Sequence, residues 1–177
     1  MIKGYLGKDE IDIIMDALIK AHGGKELVWI DMDGVVADWE PKAIIEANRL
    51  GVTIEEFKDK KMYRGIEGFY RNLPLIPGAK EAIIKLDESE KFIINFLSAP
   101  SWGNVSCFSD KRIWVEENFG KSFDKRMDLS FHKGHYLGNY LIDDRTKYGA
   151  AEFIGEHIQF GNAQYPNWDA VLNRLLS

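Results

Sequence analysis

The chain has 177 residues, 23 Lys and Arg against 28 Asp and Glu, a formal charge of −5, and 45% hydrophobic residues. This is the make-up of one soluble globular domain of ordinary size with a real core and room for a small insertion, and the scattered basic residues argue against a grip on long nucleic acid. No apolar run is long enough to cross a bilayer, no secretory pattern opens the chain, and the single Cys107 rules out an internal disulfide, so a cytoplasmic protein without a membrane partner is expected.

In chain order, residues 9–21 place Ile11, Ile14, Met15 and Leu18 at helical spacing and stop at Gly23-Gly24, which reads as a packing helix. Residues 27–30, Leu-Val-Trp-Ile, then form a buried strand that drives into Asp31-Met32-Asp33-Gly34-Val35-Val36. A buried strand rarely ends on two carboxylates unless something offsets their loss of water. A divalent cation is the usual compensation, and the hard oxygens of Asp suit Mg²⁺. Asp31 and Asp33 would share a face if the strand continued through both, and Gly34 permits a sharp turn whose N–H groups could cradle a phosphate.

Pro41 suits the first turn of the next helix, which carries Ile44, Ile45 and Leu50 and ends at Gly51. Thr53-x-x-Glu56 is a capping box, and Gly65 and Gly68 break the pattern before Phe69-Tyr70-Arg71-Asn72-Leu73-Pro74. Beyond Pro77-Gly78 come a helix with Ala79, Ala82, Ile83 and Leu86, a strand over 92–97, and a helix over 110–119 ended by Gly120. Short strands follow over 127–131, 140–142 and 157–160, and Asn167 caps a terminal helix with Val171, Leu172 and Leu175 on one face. Apolar strands alternating with helices predict an α/β fold, a doubly wound parallel sheet whose ligands bind beyond the strands' carboxyl ends.

Each polar cluster falls at such an end. The strand over 92–97 runs into Ser98-Ala99-Pro100, Lys133 follows residues 129–132, and Tyr140-Leu141-Ile142 runs into Asp143-Asp144-Arg145. Alone, a strand-end serine is most often a turn residue and a lysine a solvated one; two apolar strands ending in paired acids are the stronger signal. Two carboxylates about 4 Å apart repel by about 4 kcal/mol at an effective dielectric of about 20. Four converging acids therefore need a cation or must take up protons, and bound Mg²⁺ with Lys133 removes the conflict. Cys107 has no motif around it and reads as a packed or loop thiol. His132 and His135 flank Lys133 without a cysteine pair or His-Glu-x-x-His, so they read as polar loop residues rather than zinc ligands.

The apolar strand followed by Asp31-x-Asp33, then Ser98, Lys133 and Asp143-Asp144, resembles motifs I to IV of the haloacid dehalogenase (HAD) superfamily. Within it, Asp31 through Glu40, the run Gly68-Phe69-Tyr70-Arg71-Asn72-Leu73-Pro74-Leu75-Ile76-Pro77-Gly78-Ala79, and Leu141-Ile142-Asp143-Asp144-Arg145 look like the 5'(3')-deoxyribonucleotidase family. That resemblance covers most of the chain from Leu27 onward. It implies a HAD-like core over 1–40 and 75–177, with a small helical cap over 41–74 inserted after the first strand. Where mammalian members place an arginine two residues before the motif III lysine, this chain has Phe131.

By resemblance, the protein is a phosphatase acting on a small nucleotide through an aspartyl-phosphate. Asp31 is then the nucleophile and Asp33 the acid–base. Mg²⁺ is held by Asp31, the Asp33 carbonyl and Asp144, with Asp143 behind them. Gly34, Val35, Ser98, Ala99 and Lys133 bind the phosphate, while Trp39, Phe69 and Tyr70 are candidates to meet the base. Two readings stand beside it: a HAD phosphatase for another small phosphate ester or a polynucleotide end, and a non-hydrolytic phosphoacceptor or binding module. A phosphoacceptor module would lack both the acid at position 33 and the cap. A homodimer is left open.

Overall fold

The computed structural model describes Gly4 and residues 6–177. Strands β1 (Glu26–Ile30), β2 (Phe92–Ser98), β3 (Met127–Leu129), β4 (Leu137–Asp143) and β5 (Ile154–Gln159) form one parallel sheet in the order β3-β2-β1-β4-β5. The chain steps outward from β1 to β3, then returns to lay β4 on the other side of β1. The order reverses between β1 and β4, which is where a doubly wound sheet opens a crevice.

Central β1 is apolar on both faces, as a covered parallel strand must be. Val28 and Ile30 feed the larger core, which also takes the buried residues of α2 (Trp39–Leu50), α3 (Ile54–Asp59), α4 (Ala79–Glu88), α5 (Cys107–Phe119) and α6 (Trp168–Leu176). Leu27 and Trp29 feed a smaller core with Leu97, Leu141, Ala150 and Phe153. The expected N-terminal helix, α1 (Lys8–Ala21), lies against β1, β4 and β5 and sets Leu18 on that smaller core. Packing is thus the role observed for it. Among the described residues, no helix is long and apolar enough to cross a membrane.

Between β1 and α4 the chain makes a helical excursion of α2, α3 and a 3₁₀ turn at Met62–Gly65. The Asp38 carboxylate caps α2 by accepting from Glu40 N at 3.2 Å, and Gly51 ends it in the left-handed conformation. Thr53 accepts from Glu56 N at 3.1 Å, the forward half of the expected capping box. Phe57 and Phe69 are fully buried and pack against Trp39 and Tyr63. The excursion is tied to the loop after β2: the Asn104 amide donates to the Tyr63 and Ile66 carbonyls at 2.9 and 2.8 Å, and Gly68 N donates to the Ser106 hydroxyl at 2.9 Å.

Several boundaries differ from the sequence reading; the last strand, for one, starts at Ile154 rather than at 157. The fifth helix starts at Cys107, three residues early, because the polar Asp110 and Lys111 are buried in it and blur its apolar period. Strand β4 reaches back to Leu137 across Gly138 and a register shift, with Asn139 Oδ1 accepting from Leu27 N at 2.8 Å. The strand predicted over 127–131 stops at Leu129, where Ser130 N turns to bond the Ser98 carbonyl at 3.0 Å.

Candidate active site

Register builds the site. Ile30 pairs with Ile142, so the next residues of β1 and β4, Asp31 and Asp143, emerge side by side, and Asp31 N donates to the Ile142 carbonyl at 2.9 Å. The chain after Asp31 turns at once. Gly34 N donates to the Ala37 carbonyl at 2.9 Å and Val35 N to the Met32 carbonyl at 3.2 Å. This corrects the expectation that the Gly34 and Val35 amides cradle a phosphate: closing the turn has already used both donors. Among the described residues, the Met32 and Asp33 amides are the ones in this turn that donate no backbone hydrogen bond.

Carboxylate oxygens of Asp31, Asp143 and Asp144 lie within 4.8 Å of one another. Lys133, wholly buried in a 3₁₀ turn, places its ammonium 2.9 Å from Asp31 Oδ1 and donates to Asp143 Oδ2. The other oxygen of Asp143 accepts from Arg145 N at 2.8 Å. Asp143 is therefore satisfied by protein donors at both oxygens. Asp144 Oδ1 is buried without a partner, and Asp31 Oδ1, also buried, has the Lys133 ammonium 2.9 Å away. An orphaned oxygen on Asp144 and an Asp31 oxygen met by a single ammonium, on carboxylates within 4.8 Å of each other, suit a hard cation, so Asp31 and Asp144 fit a metal and Asp143 sits behind them.

Electrostatics separates the acids. Burial pushes the Asp31 carboxyl up, but the Lys133 and Lys111 ammoniums outweigh it and hold it below the usual range. Burial and the charge of Asp31 push Asp143 up to about 6 despite Lys133. Burial also raises Asp144, against the pull of Arg145. Burial would lower Lys133, yet Asp31 and Asp143 keep it above the ordinary lysine value.

Lys111 is a residue the sequence reading missed. It is 1% exposed, with its ammonium 2.8 Å from Asp33 Oδ2, 3.1 Å from the Ser98 hydroxyl and 5.4 Å from the centre of the Tyr70 ring. The signal was present: Cys107, Lys111, Trp114 and Val115 follow helical spacing, so a lysine stood on the buried stripe of α5.

Two spaces meet at these residues. A recess of about 40 Å³ is bounded by Asp31, Asp33, Ser98, Ala99, Lys133 and Asp143. It opens to a cleft of about 890 Å³ between the helical excursion and the sheet's carboxyl edge. Trp39 and Tyr70 line that cleft, as does Ala99, but Phe69 does not; it is fully buried in the aromatic cluster beneath them. The opposite wall is an aromatic ladder that the sequence reading missed, Trp102 against Phe131 and Phe131 against Tyr148, each pair of ring centres 6.0 Å apart. Cys107 is buried with its thiol pushed up to about 11 by burial, and it accepts from Ser101 N at 3.2 Å, a packed thiol. His132 and His135 stack on each other and join no metal-ligand cluster among the described residues.

A Vibrio phage KVP40 protein, whose name assigns it to the 5'(3')-deoxyribonucleotidases, is 38% identical over 157 residues, covering 86% of each chain. The chain belongs to the 5'(3')-deoxyribonucleotidase family. A Bordetella bronchiseptica relative assigned the same name is 33% identical over 75% of this chain and 81% of its own. The human cytosolic 5'(3')-deoxyribonucleotidase is 26% identical over 82% and 78%. A HAD family hydrolase from Deinococcus radiodurans, solved with phosphate and sodium, superposes with a TM-score of 0.51 at 13% identity, covering 85% of this chain and 88% of that one. It bears out the HAD-like fold. No family model matches the chain. Membership makes the protein an enzyme of the phosphatase class.

Proposed function

We propose that the protein is a Mg²⁺-dependent phosphatase that hydrolyses nucleoside monophosphates through an aspartyl-phosphate on Asp31. One observation carries the reading: two acid-tipped strands, β1 and β4, bring Asp31 and Asp144 together at the sheet's switch point, beside Ser98 and the buried Lys133. The relatives' names support a nucleotide as substrate. Residues 41–74 act as a small cap on a core of 1–40 and 75–177, and the cleft between them takes the nucleoside.

Asp31, Asp144 and the Asp33 main-chain carbonyl would hold the ion, which when bound offsets the charge of the acids and of the phosphoryl oxygens. Asp31, held anionic by Lys133 and Lys111, attacks phosphorus. An Asp31 O–P bond forms as the ester P–O bond breaks, and Asp33 gives its proton to the departing oxygen. Asp33 then takes a proton from water, whose oxygen attacks phosphorus and frees Asp31. Ser98 and Lys133 stabilise the equatorial oxygens, with Asp143 fixing the Lys133 ammonium. Trp39 and Tyr70 line the side of the cleft where the base would stack.

Phosphate release from a panel of deoxy- and ribonucleoside monophosphates, with and without Mg²⁺, is the test. Release from nucleotides that is abolished by chelation supports the reading. Release only from other phosphate esters overturns the nucleotide assignment, and release that survives chelation overturns the metal.

A further inference from the structure

Behind the recess stands a second buried cation, Lys111, that the sequence motifs do not call for. Lys111 borders neither the recess nor the cleft, so it stands behind the reacting groups rather than among them. Burying an ammonium is costly unless it is paired, and this one has two polar partners in the site: Asp33 Oδ2 at 2.8 Å and the Ser98 hydroxyl oxygen at 3.1 Å. The face of Tyr70 lies over it at 5.4 Å, which closes off its remaining side.

Geometry gives this bridge a direction. An ammonium can only donate, so Lys111 occupies a lone pair of Ser98 Oγ and leaves the hydroxyl hydrogen to point elsewhere. The Ser98 side chain borders the recess, where that hydrogen meets an acceptor: Asp31, or an oxygen of the phosphoryl group. At Asp33 the same ammonium engages Oδ2, which leaves Oδ1 as the oxygen that can trade a proton with the substrate. Asp33 is itself a quarter exposed at the cleft, in an isolated bridge to Ala37 beyond the end of β1, and its side chain would otherwise sample several rotamers.

We propose that Lys111 is a positioning residue for turnover. From the core side of α5, anchored on Ser98 Oγ, it locks the Asp33 carboxylate with Oδ1 toward the leaving group. The proposal rests on the aspartyl-phosphate reading above, since it assigns Lys111 to the proton-transfer partner of that mechanism. Proton transfer by a positioned side chain contributes about 10²–10⁴ in rate, and misplacing the carboxylate forfeits part of that without changing the ground-state contacts of the nucleotide.

The test compares Lys111→Met, which keeps the side chain's length and removes its charge, with wild type on a deoxynucleoside monophosphate and on p-nitrophenyl phosphate. The nucleoside oxygen needs a proton to leave; p-nitrophenolate does not. The expected result on the nucleotide is a kcat lower by about 100-fold with KM within about threefold. On p-nitrophenyl phosphate the first turnover stays fast and steady-state release is slow, giving a burst of p-nitrophenol. A role in folding alone would lower both substrates together, without a burst, and that result overturns the proposal, as does wild-type kcat in the folded variant. If Lys111→Met does not fold, Lys111→Gln carries the same comparison with the same criteria. Failure of both to fold makes Lys111 a folding residue and overturns the proposal. Wild type that turns over without any labelled phosphoenzyme sinks the aspartyl-phosphate reading itself, a result separable from either outcome at Lys111.

Discussion

A Cβ atom built on Gly34 would stand 2.8 Å from Oδ2 of Asp144, so the turn after β1 presses its backbone directly against the acid that ends β4. Gly34 also has φ of +84°, where an L side chain is strained. Gly34→Ala is expected to cost about 1 kcal/mol of stability and to push the Asp144 carboxylate off the Asp31 side. Divalent-cation affinity, read by calorimetric titration, should fall at least about tenfold, in line with losses at disturbed metal sites. Unaltered affinity in a folded variant would show that Asp144 is not a ligand.

Asp31→Asn keeps the size of the proposed nucleophile and removes its charge. Turnover is expected to vanish, and no phosphoenzyme should form with labelled substrate. Asp33→Asn retains Asp31 but loses the proposed proton donor and acceptor, so kcat should fall by about 10²–10⁴ while a phosphoenzyme accumulates. Acid-quenched labelling checks both. Wild-type kcat in Asp31→Asn would refute the assignment of the nucleophile.

The acids also set the response of the metal-free protein to pH. Asp143 is raised from 3.8 to about 6 by burial and by the charge of Asp31. A group raised in the folded state contributes stability that is complete below its unfolded value and lost as pH climbs through its folded value. Asp144 shifts the same way. Asp31, lowered, works oppositely, but its effect lies below 3.8. Between pH 7 and pH 5 the metal-free protein should therefore become more stable, by about 1 kcal/mol, or about 2–4 °C in Tm. With saturating Mg²⁺ the order should reverse, because the ion binds ionised carboxylates. Thermal melts at the two pH values, with and without the ion, check the sign.

The legible parts of this chain were those with a strong local pattern. Apolar strands ending in paired acids marked Asp31, Asp33, Asp143 and Asp144, and strand–helix alternation marked the doubly wound sheet. What escaped depended on tertiary placement. Lys111 sits in a helix whose buried stripe mixes polar and apolar residues, so its burial is visible only once α5 packs beside β2. Whether the Gly34 and Val35 amides are free depends on how the turn closes, which a lone glycine does not specify. Phe69 and Tyr70 are neighbours in sequence, yet the backbone turns one inward and the other to the cleft.

Trp39 lines the cleft at the start of α2, edge-on to Tyr63 with ring centres 5.5 Å apart. A stacked base is worth about 1–3 kcal/mol on an aromatic side chain. Trp39→Ala should raise KM for a nucleoside monophosphate by about tenfold and leave p-nitrophenyl phosphate nearly untouched. Equal losses on the two substrates would mean that Trp39 only packs.

Asn104 offers a way to separate the helical excursion from the chemistry. Its buried amide donates to the Tyr63 and Ile66 carbonyls, and its Oδ1 accepts from the Ser106 hydroxyl and Cys107 N. No other side chain among the described residues holds the 3₁₀ turn to the loop after β2 through two carbonyls. Asn104→Ala leaves those carbonyls without their donor, at a cost of about 1–3 kcal/mol. The loosened turn carries Tyr63 and Arg64, both on the cleft wall, while Asp31, Asp33 and Lys133 hang from the sheet and its loops. KM for a nucleotide should therefore rise several-fold with kcat on p-nitrophenyl phosphate preserved. Hydrogen exchange should quicken in residues 60–68 and stay slow in β1 and β4. Faster exchange in β1 would mean that the bond network supports the sheet itself, and the excursion could not then be treated as a separately mobile lid on a fixed site.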